Sequence, residues 1–78
     1  MDIYYLTTIS TKMRIILNKD VQIIPDSISI DGLLEHLNIE IKYIAIEVNE
    51  TIVPKSEYDT FNLKENDNVE IINAVGGG

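Results

Sequence analysis

The sequence predicts an α+β domain, a sheet of short strands packed on one main helix. Three observations lead there. Short runs rich in Ile, Leu and Val are punctuated by clusters of Asn, Asp and Lys, the pattern of strands joined by tight turns. One stretch repeats its apolar residues at helical spacing, with Ile30, Leu33, Leu34 and Leu37 at i, i+3, i+4 and i+7. The chain has 78 residues and no cysteine, so one small core without disulfides must hold it together. A chain of this size buries roughly 60% of its unfolded surface, enough for a modest core.

Residues 1–12 differ from the rest. Thr7, Thr8, Ser10 and Thr11 interrupt any core pattern, and two readings stand: a peripheral N-terminal arm or strand, or an upstream start that adds little to the fold. In the arm reading, Ile3, Tyr5 and Ile9 pack on a surface or on a second copy. Met13 then opens an apolar run over residues 13–18, and a second follows over 21–24. Asn18-Lys19-Asp20 between them predicts a hairpin, and Pro25-Asp26 ends it.

Ser29 is placed to cap the helix by accepting a backbone N–H bond, and Asp31 suits the first turn. Gly32 weakens this helix by up to about 1 kcal/mol relative to Ala, and is expected to let it pack closely on the sheet. The helix ends near Asn38. A third strand covers 43–48 with Ile44, Ile46 and Val48 on one face. Asn49-Glu50 turns it into a short strand, 51–53, which Pro54 closes. Residues 58–63 form a loop anchored by Tyr58, Phe61 and Leu63. Asn66 and Asp67 supply turn conformations, and a final strand over 69–72 runs into Asn73-Ala74-Val75-Gly76-Gly77-Gly78.

Composition removes several classes of function. Thirteen acidic residues against six basic ones give a net charge of −7, which disfavours nucleic acid, whose phosphates call for Lys and Arg, and an anionic membrane surface. The same charge suits partners with basic surfaces. No apolar run approaches the ~20 residues of a membrane span. Met1-Asp2-Ile3-Tyr4-Tyr5-Leu6 lacks the basic and long apolar regions of a secretory signal. A cytoplasmic or equally reducing compartment is expected, and any sulfur chemistry must use a group other than a side-chain thiol.

The glycine end carries the chemistry. Glycine has no Cβ, so Gly76, Gly77 and Gly78 form the thinnest strand a chain can offer. Such a segment can thread a narrow channel and present a carboxylate where any side chain would clash. Taken alone, a frayed end is the favoured explanation.

What precedes it changes the balance. The ordered set is Met13-Arg14-Ile15-Ile16-Leu17-Asn18, then Ser29-Ile30 with Leu33-Leu34, then Val48-Asn49-Glu50-Thr51-Ile52-Val53-Pro54-Lys55. Leu63, Asn66-Asp67 and Val69-Glu70-Ile71 follow, and Val75-Gly76-Gly77-Gly78 closes it. Over residues 13–78 this resembles the ThiS/MoaD family of ubiquitin-like sulfur carriers, and within it the ThiS-like carriers of thiamin thiazole synthesis. The resemblance implies a ubiquitin-like β-grasp, a mixed sheet over one helix, with the domain at 13–75 and a flexible tail at 76–78. Asn49 with Val53-Pro54-Lys55 separates the thiazole branch from the molybdopterin synthase small subunit, which tends to carry Pro-Pro-Val-Ser before its glycines. This chain departs from the family in its front extension and in Asn66, where glycine is usual.

The resemblance also implies a mechanism. The Gly78 carboxylate is adenylated by a ThiF-like enzyme using ATP, sulfur from a persulfide donor protein displaces AMP, and the resulting thiocarboxylate is spent in thiazole synthase. Gly76 and Gly77 thread the tail into both active sites, and Val75 with Gly76 sets its reach. The carrier binds no cofactor and catalyses nothing, because nucleotide and metal belong to the activating enzyme. Strand alternation points Ile15, Leu17, Ile44, Ile46, Val48, Val69 and Ile71 at the helix, leaving Ile16, Ala45 and Ile72 outside. Together with Val75 these form the expected docking patch beside the tail, although single exposed apolar residues are also ordinary surface.

Three rivals remain: a molybdopterin synthase small subunit, a ubiquitin-like modifier joined to lysines through Gly78, and an interaction domain with an inert tail. His36, a lone histidine beside Glu35, reads as a solvated helix residue. The acidic pairs Glu57 with Asp59 and Glu65 with Asp67 read as solvated loops, with Asp67 bonding its own turn. Tyr4 and Tyr5 have no basic neighbours to support stacking on bases.

Overall fold

The computed structural model describes residues 11–42 and 44–73. It contains strands β1 (Lys12–Leu17), β2 (Asp20–Pro25), β3 (Ile44–Val48), β4 (Thr51–Val53) and β5 (Asn68–Asn73). One helix, α1 (Ile30–His36), and a single 3-10 turn (Lys55–Glu57) complete it. The strands form one sheet in the order β2-β1-β5-β3-β4. Only β1 and β5 run parallel. The other neighbours are antiparallel, so the sheet is mixed, as the β-grasp expectation required.

Two hairpins make the edges of this sheet, and both turn the same way. Leu17 pairs with Asp20 across Asn18 and Lys19, whose φ values are 47 and 74°. Val48 pairs with Thr51 across Asn49 and Glu50, at 51 and 72°. Two central residues at positive φ are the signature of a type I′ turn, whose twist matches the strands it joins. Asparagine is suited to the first position in each. Lys19 and Glu50 pay about 1 kcal/mol each for sitting where glycine would be unstrained. Pro25 ends β2 rather than preceding its end, and does so on an edge strand where its missing N–H costs no ladder bond.

The helix is bounded by caps the sequence announces. Ser29 Oγ accepts from the Gly32 N–H at 3.0 Å. The other two free N–H groups of the first turn bond to the loop: Ile30 N–H to the Phe61 carbonyl and Asp31 N–H to the Tyr58 carbonyl, both at 3.0 Å. At the far end Asn38 takes φ 63°, its N–H bonds the Glu35 carbonyl, and the Ile39 N–H bonds the Leu34 carbonyl. This is a Schellman ending, with asparagine in the place glycine usually takes. Gly32 serves a different neighbour from the one expected. A Cβ there would lie 2.7 Å from Ile28 Cγ1 and 3.3 Å from Ser29 Oγ, so the close approach is to the helix's own lead-in and not to the sheet.

Ile30, Leu33 and Leu34 of α1 meet Met13, Ile15, Ile24, Ile46, Val48, Val53 and Val69 of the sheet, with Tyr58 and Leu63 closing the core from the loop. Leu17, Leu37, Ile44, Phe61 and Ile71 pack against its margin. Each fully buried Ile or Leu contributes about 1.5–3 kcal/mol. Burial raises the pKa of Tyr58 above its ordinary value of 10.0, Asp31 adds to the rise, and a backbone hydrogen bond with Ile46 opposes it.

The N-terminal arm and the glycine tail largely fall on residues 1–10 and 74–78, outside the described residues. At the inner boundary, Lys12 opens β1 opposite Pro25, and Thr11 bonds Asp26 through both its carbonyl and its hydroxyl.

Candidate functional site

The site follows from where β5 lies. β5 is the last strand in sequence and the third of five in space, flanked by β1 and β3. Its ladder with β1 is short, only Ile16 with Asn68 and Leu17 with Val69, whereas its ladder with β3 runs from Val48–Val69 to Ile44–Asn73. Asn18 extends the shorter one with its side chain. Its Oδ1 accepts from the Ile71 N–H at 2.8 Å, its Nδ2 reaches the Ile71 carbonyl at 3.4 Å, and its own N–H bonds the Val69 carbonyl. Beyond Ile71, among the described strands, the ladder continues on β3 through Ile72 and Asn73. β5 therefore ends at Asn73 in the middle of the sheet.

The start of β5 is set by a polar bracket. Asp67 Oδ2 accepts from the Lys64 N–H at 2.8 Å and Oδ1 from Asn49 Nδ2 at 3.0 Å. Asn49 Oδ1 accepts from the Asn68 N–H at 2.9 Å. Asn66, at φ 69°, donates its N–H to the Arg14 carbonyl, and its Oδ1 accepts from Arg14 Nε at 3.1 Å. A residue able to adopt positive φ is what this turn requires, and asparagine meets the requirement in glycine's place. Asp67 bonds its turn as expected. Glu57, Asp59 and Glu65 are exposed, and so is His36. Among the described residues no group of His, Asp and Glu could hold a metal ion, and no helix is long and apolar enough to cross a membrane.

The face of the sheet opposite α1 is the outer face. Alternation and register assign to it Ile16 and Arg14 of β1, Val21 and Ile23 of β2, Ala45 and Glu47 of β3, Ile52 of β4, and Glu70 and Ile72 of β5. Val21, Ile23, Ile52 and Ile72 are 59, 57, 62 and 41% exposed, while Ile16 and Ala45 are half-buried. Ala45 and Ile72 are direct cross-strand partners at the end of β5 from which the tail departs. Ile16 shares their face but pairs with Asn68, four residues earlier on β5, roughly 13 Å along the strand. It neighbours Val21 instead. Val75, Gly76, Gly77 and Gly78 lie outside the described residues.

Between these two apolar groups lies a feature the sequence reading passed over. Glu47 and Glu70 stand directly opposite each other, half-buried, with Ile52 on the far side of Glu47. The strand alternation contains both residues, yet nothing in one strand announces its cross-strand neighbour. Val21 and Ile23 were equally hidden, since residues 21–24 read as one apolar run until the register separates Ile24 inward from Ile23 outward. The 3-10 turn at Lys55–Glu57 was also unanticipated; it lets Tyr58 point into the core just after Pro54.

A model of the ThiS family matches residues 7–78. The chain is 32% identical over 66 residues to the thiazole synthase of Paramagnetospirillum magneticum, across 85% of this chain and 20% of that protein. It thus spans about a fifth of the length of that relative. It is 37% identical over 60 residues to the sulfur carrier protein ThiS of Bacillus subtilis, across 77% of this chain and 91% of that one. The crystal structure of the thiamine biosynthesis protein ThiS from Geobacter metallireducens superposes with a TM-score of 0.76 at 25% identity, covering 85% of this chain and all of the other.

Proposed function

The chain belongs to the ThiS family, the small sulfur carriers of thiamin biosynthesis, and from that premise we propose that Gly78 is the residue that carries the sulfur. A carboxylate is a poor electrophile because its charge is delocalised over both oxygens and its leaving group is an oxide. Joining it to AMP at the expense of ATP supplies a leaving group. A donor persulfide then attacks the acyl carbon and AMP departs, and a thiol cleaves the resulting acyl disulfide at the donor's sulfur, leaving a terminal thiocarboxylate and a disulfide on the donor. The chain contains no cysteine, so no side-chain thiol is available to carry the sulfur.

In this reading a ThiF-like enzyme performs the adenylation with its own ATP and metal, a separate protein donates sulfur, and thiazole synthase consumes it in a reducing, cytoplasmic setting. The protein is a carrier, spent and regenerated, and not itself an enzyme. The observation that carries the reading is a family match continuous from residue 7 through the three glycines. The thiazole synthase that contains a matching segment within its own chain supports the choice of acceptor. Delivery of the tail from the central strand suits a group that must enter two different active sites.

Intact-mass spectrometry after incubation with ATP, a ThiF-like enzyme and a sulfide source tests it. The expected result is a mass gain equal to the exchange of one oxygen for sulfur, confined to the Gly78 peptide and abolished by deleting Gly77-Gly78. An unmodified Gly78 with a verified enzyme would overturn the proposal. Reductant-resistant ladders of higher mass in cell extracts would favour a protein modifier instead.

A further inference from the structure

The backbone contact between β1 and β5 is short, and the sheet continues it by other means. In a parallel ladder a residue donates its N–H to one carbonyl of the partner strand and accepts at its own carbonyl from the N–H two residues further on. Ile16 donates to the Asp67 carbonyl and Asn18 to the Val69 carbonyl, both at 2.9 Å. A regular continuation would join the Ile71 N–H to the Asn18 carbonyl, and the Ile71 carbonyl to the N–H of residue 20. The hairpin prevents it. Asn18 and Lys19 turn at φ 47 and 74°, and Asp20 is already paired with Leu17. The Asn18 side chain supplies both missing groups: Oδ1 accepts from the Ile71 N–H at 2.8 Å, and Nδ2 donates to the Ile71 carbonyl at 3.4 Å. One primary amide thus stands in for backbone groups of two residues, an acceptor for residue 18 and a donor for residue 20.

We infer that Asn18 is a positioning residue for the reaction at Gly78, its side-chain amide fixing the end of β5 from the β1 side. The inference rests on the carrier reading above and adds to it the residue that aims the reacting segment. Gly78 follows Ile71 by seven residues, at most ~25 Å of extended chain. Without the amide, the bonds from β1 and its turn end at the Val69 carbonyl, nine residues before Gly78, and β3 becomes the remaining partner of Ile71 and Ile72. Lengthening the segment from seven residues to nine dilutes its end only about 1.5-fold, by the −3/2 power of length. Direction is the larger effect. A strand end held from both sides keeps one heading, whereas an end held from one side swings about its remaining ladder, and fewer encounters then bring Gly78 to the enzyme's nucleotide. Asparagine serves both needs at this position, a left-handed φ for the turn and an amide for the strand. Glycine would meet only the first, and aspartate keeps the acceptor without the donor.

The test compares full-length wild type, N18G, N18D and the control N38G. Amide exchange of Ile71 is followed by NMR, with Leu33 of the helix reporting global opening, and kcat and KM are measured for adenylation by the ThiF-like enzyme. N18G keeps the turn unstrained while removing the side chain, so the variant should fold. Asn38 also sits at positive φ, but at the end of α1, so N38G removes a comparable asparagine away from β5. Expected for N18G is exchange at Ile71 faster by about threefold or more, beyond any change at Leu33. Its KM rises by about threefold or more while kcat stays within about twofold of wild type. N18D returns Ile71 exchange to within about twofold of wild type, and N38G keeps the wild-type KM. Ile71 exchange in N18G that only follows Leu33 overturns the inference, as does N18D exchanging as fast as N18G. An equal rise in KM for N38G would assign the effect to general loosening and would also overturn it. Normal adenylation of wild type with N18G indistinguishable from it overturns this inference alone. Failure of wild type to be adenylated overturns the carrier reading and this inference with it.

Discussion

The two faces of the sheet are written by the same five strands, residue by alternate residue, and they differ in almost every property. On the inner face Ile15, Ile46 and Val69 are wholly buried against Leu33 and Ile30 of the helix. On the outer face Ile16, Ile52 and Ile72 flank two opposed glutamates with no described element over them. Both faces draw on β-branched residues, and what each such residue contributes depends on what packs against it. What separates them is the helix, which can cover only one side. The inner face then holds the fold, and the outer face is free to carry charges and apolar groups that contribute little to stability.

Substitutions should expose this division. The largest effect belongs to Leu33→Ala, which opens a cavity beneath the sheet and should cost about 3 kcal/mol in urea unfolding, within the usual range for a buried leucine. A loss below about 1 kcal/mol would mean that the core collapses around the gap and that the inner face is less rigid than its burial implies.

A smaller effect comes from alkali. The neutral form of Tyr58 is favoured by the fold, since burial and Asp31 raise its pKa above 10.0. In the unfolded chain the phenol loses its proton near pH 10, so above that pH the native state holds more protons than the unfolded one and stability falls as pH rises. Its contribution is intact below pH 10. Tyr58→Phe should lose this alkaline sensitivity, and an unchanged profile in the variant would place the titrating group elsewhere.

The smallest change in stability is expected on the outer face. Ile72→Glu should alter unfolding by no more than about 0.5 kcal/mol, as surface substitutions do, while slowing adenylation of Gly78 by the activating enzyme. Unchanged adenylation kinetics with the fold intact would remove Ile72 from the docking surface and leave the apolar outer face without a partner near the tail.

The polar turns show how far local residues reach. Asn18, Asn38, Asn49 and Asn66 all adopt positive φ, and each was legible because asparagine tolerates the left-handed region at a chain reversal. The cap at Ser29 was legible for the same reason of short range. The bond of Asn18 to Ile71 was not, for it joins residues 53 apart in sequence. Gly32 misled because its local cost was visible and its neighbour, Ile28, was not. The docking residues divide likewise. Alternation turned Ile16, Ala45 and Ile72 outward, but only register set Ala45 against Ile72 and moved Ile16 away from both.

By itself the sequence determined the order of the strands and the main helix, their boundaries to within a residue or two, the Ser29 cap, both hairpin turns and most of the inward residues of β1, β3 and β5. All of these depend on interactions between residues close in the chain or on a simple period. It also carried the family, through motifs spaced along residues 13–78. Tertiary structure decided the rest. It placed β5 between β1 and β3, limited the β1 ladder to two rungs and opposed Glu47 to Glu70. Those outcomes depend on which strands meet and in what register, and contacts between distant segments are fixed only when one core closes around all of them.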